Sequence, residues 1–175
     1  MADEDRTGYD RHLFRHWIDA DRDGCNTRAE VLLEEAVEAP TVTGRCKLTE
    51  GRWNSWYDHA DIEGPRGLDI DHLVPLAEAW DSGASAWTPK KRERYANDLG
   101  DARALVAVSA RSNRQKADQD PTTWLPAEDV RCRYVADWTA IKLRWGLSID
   151  GAEQQTLMRI ADGCPDTPVE VITAD

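Results

Sequence analysis

The sequence predicts an α+β fold in one domain. The chain has 175 residues, a length typical of a single domain with a sizeable core. Two short β patterns, at residues 67–76 and 105–108, lie among stretches with helical periodicity. No internal repeat or linker divides the chain, so we expect residues 1–175 to fold as one unit.

The first third of the chain predicts two helices followed by irregular structure. Residues 9–18 have an amphipathic pattern, with Leu13, Trp17 and Ile18 near one face. A second helix is expected over residues 27–39, ending before Pro40. Residues 40–67 are rich in glycine, tryptophan and polar residues and are expected to be irregular.

The central part alternates strands and helices. In the first strand, Leu68 and Ile70 point to one side and Asp69 and Asp71 to the other. Ser109 is a candidate N-cap for the helix that follows the second strand. The other expected helices cover residues 77–82, 90–97 and 128–145, the last ending at Gly146, and residues 163–175 are expected to form a loose tail.

Charge and hydropathy limit the possible functions. The net charge is −11, but residues 90–116 carry eight basic residues against three acidic ones. Such a strip can bind phosphate groups, although a solvated face is the simpler reading. No run of eighteen apolar residues exists, so no membrane span is expected. The polar start has no signal-peptide core, as in a cytosolic protein or a mature secreted one.

The four cysteines lack the close spacing of a zinc site. An even number at wide spacing favours disulfides formed in an oxidising compartment. Of three possible connectivities we favour Cys25–Cys46 with Cys132–Cys164, because this pairing closes the shortest loops. The alternative is four buried free thiols.

The order strand, Asp71-His72, strand, then helix with Asn113 is typical of metal-dependent phosphodiester chemistry. A hard cation at a phosphate takes oxygen ligands, and Asp71 and Asn113 can supply two. An imidazole, with a pKa near 6.5, is a suitable general base. At a strand end the backbone can twist, so that one of the adjacent residues Asp71 and His72 reaches the metal and the other reaches the attacking water.

The residues from Leu68 to Leu76, from Tyr95 to Leu99 and from Leu105 to Asp118 resemble the HNH (ββα-metal, or His-Me finger) endonucleases. The resemblance is closest to the actinobacterial HNH proteins, many of them secreted, and includes the flanking segments. It implies a ββα-metal core at about residues 67–120, surrounded by helices. It also implies that the protein hydrolyses DNA and leaves 5′-phosphate ends.

Carried over by position, the resemblance makes His72 the general base and Asp71 and Asn113 the ligands of Mg²⁺ or Mn²⁺. Asn97 matches the middle asparagine, which holds the loop between the strands. Arg111, Arg114 and Lys116 are candidates for contact with DNA phosphates.

A second motif, at residues 19–30, fits the twelve-position calcium loop of an EF-hand, with Gly24 at the turn position. The apolar residue that normally pairs two such loops is replaced by Asn26, so we expect a solitary, structural Ca²⁺ site. The alternative is an acidic loop that merely caps the next helix. The expected ligands are Asp19, Asp21, Asp23, Cys25, Thr27 and Glu30.

The sequence therefore predicts a secreted, monomeric, metal-dependent DNA endonuclease with no membrane partner. One alternative is the same chemistry on RNA or on both nucleic acids. Another, from a different class, is a secreted calcium-dependent binding module whose nuclease core is inert.

Overall fold

The computed structural model describes residues 5–166 and 168–174 and has the α+β architecture that the sequence predicts. Within these residues, six α-helices lie around three separate two-stranded sheets. The helices are α1 (Thr27–Glu34), α2 (Leu76–Asp81), α3 (Pro89–Ala96), α4 (Ala110–Lys116), α5 (Arg131–Trp145) and α6 (Gly151–Ala161). The strands are β1 (Thr41–Thr43), β2 (Lys47–Thr49), β3 (Arg52–Ser55), β4 (Ala60–Glu63), β5 (Leu68–His72) and β6 (Leu105–Ser109).

The third sheet and the helix after it form the predicted ββα unit. β5 and β6 are antiparallel and in register from Leu68 opposite Ser109 to His72 opposite Leu105. The Ser109 side chain accepts a hydrogen bond from the Ser112 amide, so it is the N-cap of α4, as predicted. This arrangement brings α4 against the strand that carries Asp71 and His72.

Two clusters of buried side chains hold the elements together. The larger contains residues of α2, α3, α5 and α6, with Trp138 and Tyr134 fully buried. The smaller packs α1 and Trp53 against β5 and β6. Because β6 contributes residues to both clusters and β5 to the smaller one, the hairpin is held between the two clusters.

The predicted helix over residues 9–18 is wrong. Only a 3₁₀ turn forms, at Arg11–Leu13. Phe14 then enters the core with no exposed surface, and Trp17 has a φ of 59°, a left-handed conformation that ends any right-handed helix. Burial of Phe14 therefore overrides the amphipathic pattern.

Three further differences concern regular structure. The helix expected over residues 27–39 ends at Glu34, and Glu38 instead bridges to Arg52. Residues 40–67, expected to be irregular, contain the hairpins β1–β2 and β3–β4, with Gly44 in the turn of the first hairpin and Gly51 between the two. α6, which begins after the capping residue Asp150, was not predicted from the sequence.

Both disulfides form as predicted. Cys25–Cys46 joins the loop before α1 to the β1–β2 turn, and Cys132–Cys164 joins α5 to the segment after α6. The helix ending at Gly146 is also confirmed, since Gly146 has a φ of 64° at the C-cap. Described residues 163–174 have no helix or strand, as expected for the tail.

Candidate active site

Three of the predicted catalytic side chains line one cavity of about 110 Å³. Asp71 and His72 end β5, and Asn113 lies on α4, which packs on that strand. Arg11 and Asp118, which the sequence analysis did not single out, also line this cavity. The register of the hairpin and the capping of α4 therefore bring together residues that are far apart in sequence.

His72 is held as a neutral imidazole. Its Nε2 lies 3.0 Å from the carbonyl oxygen of Ala96, which can only accept, so Nε2 carries the hydrogen and Nδ1 is the basic nitrogen. The rings of Trp17 and Tyr95 stack near it, with centroids at 5.6 and 6.4 Å. Burial lowers the pKa of His72 to about 3. At neutral pH the imidazole is therefore uncharged with Nδ1 unprotonated, and the same burial disfavours the imidazolium form.

Asp71 is a buried carboxylate with a buried cation beside it. Lys116 Nζ lies 2.7 Å from Asp71 Oδ2 and 3.0 Å from the carbonyl oxygen of His72. The hydroxyl of Tyr57 donates to Asp71 Oδ2 at 2.6 Å. Burial raises the pKa of Asp71, and the Lys116 ammonium opposes that rise. Lys116 and Tyr57 therefore stabilise the carboxylate of Asp71 at a buried position, where an unpaired charge would raise the free energy of the folded protein.

The prediction that Lys116 contacts DNA phosphate is wrong, because its side chain has no exposed surface and is paired with Asp71. The other two candidate phosphate contacts are exposed. Arg111 is on the outer face of α4, and Arg114 lies 3.7 Å from Asp69 Oδ2 with 77% of its side chain exposed.

Asn97 lies at the end of α3, outside the cavity lining, and connects separate segments. Its Nδ2 donates to the carbonyl oxygens of Arg15 and Glu93, both at 2.8 Å. Its Oδ1 accepts from the Ile18 amide at 3.1 Å and from the Thr27 hydroxyl at 2.8 Å. These bonds fix the end of α3, where the preceding residue supplies the carbonyl that orients His72.

The cavity lining includes residue types that bind hard divalent cations. Asp71 and Asp118 carry carboxylates and Asn113 carries an amide oxygen. Lys116 and Tyr57 use part of the acceptor capacity of Asp71, which as a carboxylate has about four lone-pair positions. The Nδ2 of Asn113 donates to Asp69 at 3.3 Å, which leaves its oxygen for another partner. Oxygen donors of this kind suit Mg²⁺ or Mn²⁺ better than zinc.

The acidic loop at residues 19–30 has carboxylates that converge. Oxygen atoms of Asp19, Asp21 and Asp23 lie within 4.8 Å of one another, and a ligand atom of Glu30 lies within the same distance of Asp23. Burial and then the three aspartates raise the pKa of Glu30. The hydroxyl of Thr27 is within hydrogen-bonding distance of Ile18 O, at 3.0 Å, as well as of Asn97.

Cys25 is bonded to Cys46, so its sulfur is not a thiolate ligand, and only its backbone carbonyl can serve a cation in this loop.

Comparison with known proteins identifies the family. The family model described as GmrSD restriction endonucleases, C-terminal domain, matches residues 9–160. The chain belongs to this family. Membership of this family indicates that the protein is a nuclease-type enzyme that acts on nucleic acid. Restriction endonucleases are generally metal-dependent.

A relative from Arthroderma benhamiae, named uncharacterized secreted protein, is 39% identical over 158 residues. The alignment covers 90% of this chain and 76% of the relative. No solved structure matches the chain. Among the described residues, no helix has both the length and the apolar character needed to cross a membrane.

Proposed function

We propose that this GmrSD C-terminal-type domain is an HNH endonuclease that hydrolyses phosphodiester bonds of DNA with one Mg²⁺ or Mn²⁺ ion. The observation that supports this most is the shared cavity of Asp71, His72 and Asn113. A base and two oxygen ligands at one cavity are what metal-assisted hydrolysis of a phosphodiester requires.

His72 acts as the general base. Its Nδ1 takes a proton from a water molecule, the water oxygen bonds to phosphorus, the bond to the 3′ oxygen breaks, and the departing oxygen takes a proton from solvent water. The products are a 5′-phosphate and a 3′-hydroxyl. The hydrogen bond from Nε2 to Ala96 O stabilises the imidazolium that forms, and it keeps the ring in one orientation.

Asp71 and Asn113 would hold the metal ion, which supplies positive charge near the phosphate and the departing oxygen. Lys116 and Tyr57 keep Asp71 in place and favour its ionised form. Asn97 has a positioning role, since it fixes the end of α3 from which the Ala96 carbonyl projects.

We also propose that residues 19–30 bind one Ca²⁺ ion for stability, with Asp19, Asp21, Asp23 and Glu30 as carboxylate ligands. Two disulfides and a relative named as secreted support an extracellular location. In that setting millimolar Ca²⁺ is a suitable structural ion, because extracellular modules bind it at about 10⁻⁴–10⁻³ M.

The test is cleavage of supercoiled plasmid at neutral pH with Mg²⁺, Mn²⁺ or EDTA. We expect cleavage with either metal and none with EDTA. His72→Ala should lower the rate by about 10²–10⁴-fold, the usual contribution of a positioned base. The matched control is His59→Ala, because His59 is exposed and pairs with Asp129 outside the cavity.

Three outcomes would contradict the proposal. Failure of the wild type to cut plasmid with any divalent metal would favour a binding module with an inert core. Equal or faster cleavage of a labelled RNA would make the protein an RNase or a nuclease of both nucleic acids. Equal rates for His72→Ala and the wild type would remove His72 from the chemistry.

A further inference from the structure

The catalytic cavity has one exposed cation at its wall. Among the described residues that line it, Arg11 is the only arginine or lysine. Lys116 is close by but is buried and neutralised by Asp71 at 2.7 Å. The exposed side chain of Arg11 is therefore the available positive group of the protein at this cavity.

The segment that carries Arg11 is anchored on both sides. Before Arg11, Trp80 Nε1 donates to the carbonyl oxygen of Thr7 at 3.2 Å, and Asp10 caps the 3₁₀ turn by accepting from the His12 amide at 2.8 Å. Phe14 follows in the core, and Asn97 Nδ2 donates to the carbonyl oxygen of Arg15. Arg11 thus comes from a turn whose backbone is held beside α3 and the core, which limits how far its side chain can move from the cavity.

The charges around the cavity require such a cation. Asp71 and Asp118 line it, and Asp69 is adjacent on β5, in a protein of net charge −11. Lys116 pairs with Asp71, and Arg114 lies 3.7 Å from Asp69, so the carboxylate of Asp118 is the one left to repel an anionic phosphodiester unless a further positive group compensates. A metal ion neutralises part of this charge. An arginine adds a planar fork of donors that matches two phosphate oxygens.

The guanidinium of Arg11 has donors to spare. A guanidinium has five N–H groups, and the Arg11 side chain lies near the hydroxyl of Tyr9. Its positive charge also acts on Asp71 and on His72, as expected for a group near both.

We infer that Arg11 is a catalytic residue that binds the non-bridging oxygens of the scissile phosphate. Arg11 then stabilises the extra negative charge that develops when water attacks. This inference rests on the proposed nuclease function, because it assigns a substrate contact at the same cavity.

The test compares Arg11→Ala and Arg11→Lys with the wild type on two substrates, plasmid DNA and bis(p-nitrophenyl) phosphate. The small diester has no flanking nucleotides, so it reports contacts at the reacting phosphate alone. We expect Arg11→Ala to lower kcat about 10²–10³-fold on both substrates, as for loss of one transition-state donor. The kcat of Arg11→Lys should lie between those of Arg11→Ala and the wild type, since lysine offers a point charge in place of the planar fork of donors.

The matched control is Arg159→Ala, which removes an exposed arginine from α6, a helix that contributes no residue to the cavity. We expect it to retain wild-type rates on both substrates. Thermal melts of all variants separate loss of function from loss of fold. If Arg11→Ala does not fold, Arg11→Lys carries the test. An intermediate kcat on both substrates would support the inference, and a wild-type kcat on both would overturn it.

The outcomes separate this inference from the proposed function. Normal rates for both Arg11 variants, with a wild type that cuts and a His72→Ala variant that does not, would overturn the inference alone. A loss confined to plasmid would also overturn it, because Arg11 would then contact a flanking phosphate. A wild type inactive on both substrates would overturn both proposals.

Discussion

Replacing Lys116 by methionine tests how the site stabilises Asp71. The change removes the ammonium at 2.7 Å from Asp71 Oδ2 and its hydrogen bond to His72 O, and leaves a carboxylate that is 5% exposed. Breaking a buried ion pair by removing one partner costs about 3–5 kcal/mol. For a chain of this length, that corresponds to a fall in Tm of roughly 6–20 °C.

The double variant Asp71→Asn with Lys116→Met separates this cost from the loss of packing. With both charges removed, no unpaired buried charge remains, so we expect the double variant to recover most of the stability lost in either single variant. The assay is urea denaturation at pH 7 in EDTA, which excludes bound metal. A loss below about 1 kcal/mol for Lys116→Met, as for a surface pair, would refute the reasoning. Additive losses in the double variant would also refute it.

Three further predictions concern other residues. Burial raises the pKa of Glu35 to about 7, so the stability from its protonated form is complete below pH 4.5 and lost as pH rises through 7. Glu35→Gln should therefore stabilise the protein at pH 8.5 by up to about 3 kcal/mol more than at pH 4.5, measured by urea denaturation, and a pH-independent effect would contradict this. Asn97→Ala removes four hydrogen bonds and should cost roughly 2–4 kcal/mol and lower kcat, and unchanged plasmid cleavage would exclude its positioning role. Ca²⁺ at a hundredfold excess over its Kd should stabilise the wild type by about 2.7 kcal/mol, and Glu30→Gln should remove most of that gain in thermal melts, whereas the control Glu34→Gln should keep it.

Local patterns in the sequence were enough to predict the ββα unit and its key residues. The alternation around Asp71 identifies β5, Ser109 identifies the start of α4, and Gly146 identifies the end of α5. Each of these three features depends on a residue's own backbone preference or on hydrogen bonds within four residues. It can therefore be predicted from residues that are close in sequence. The cysteine pairs were also predictable, because each closes a short loop.

Long-range contacts decided the rest. In sequence, Lys116 looks like any exposed cation on a helix, but its partner Asp71 is 45 residues earlier, and only their packing buries both. Arg11 lies far outside the motif and reaches the cavity because Phe14 enters the core and Asn97 binds the segment that follows. Burial and ion pairing depend on which elements meet in space, and no local pattern around either residue specifies that. The sequence by itself therefore determined the strands, the helix and the positions of Asp71, His72 and Asn113 on them, and only the tertiary structure decided which cations lie beside these residues.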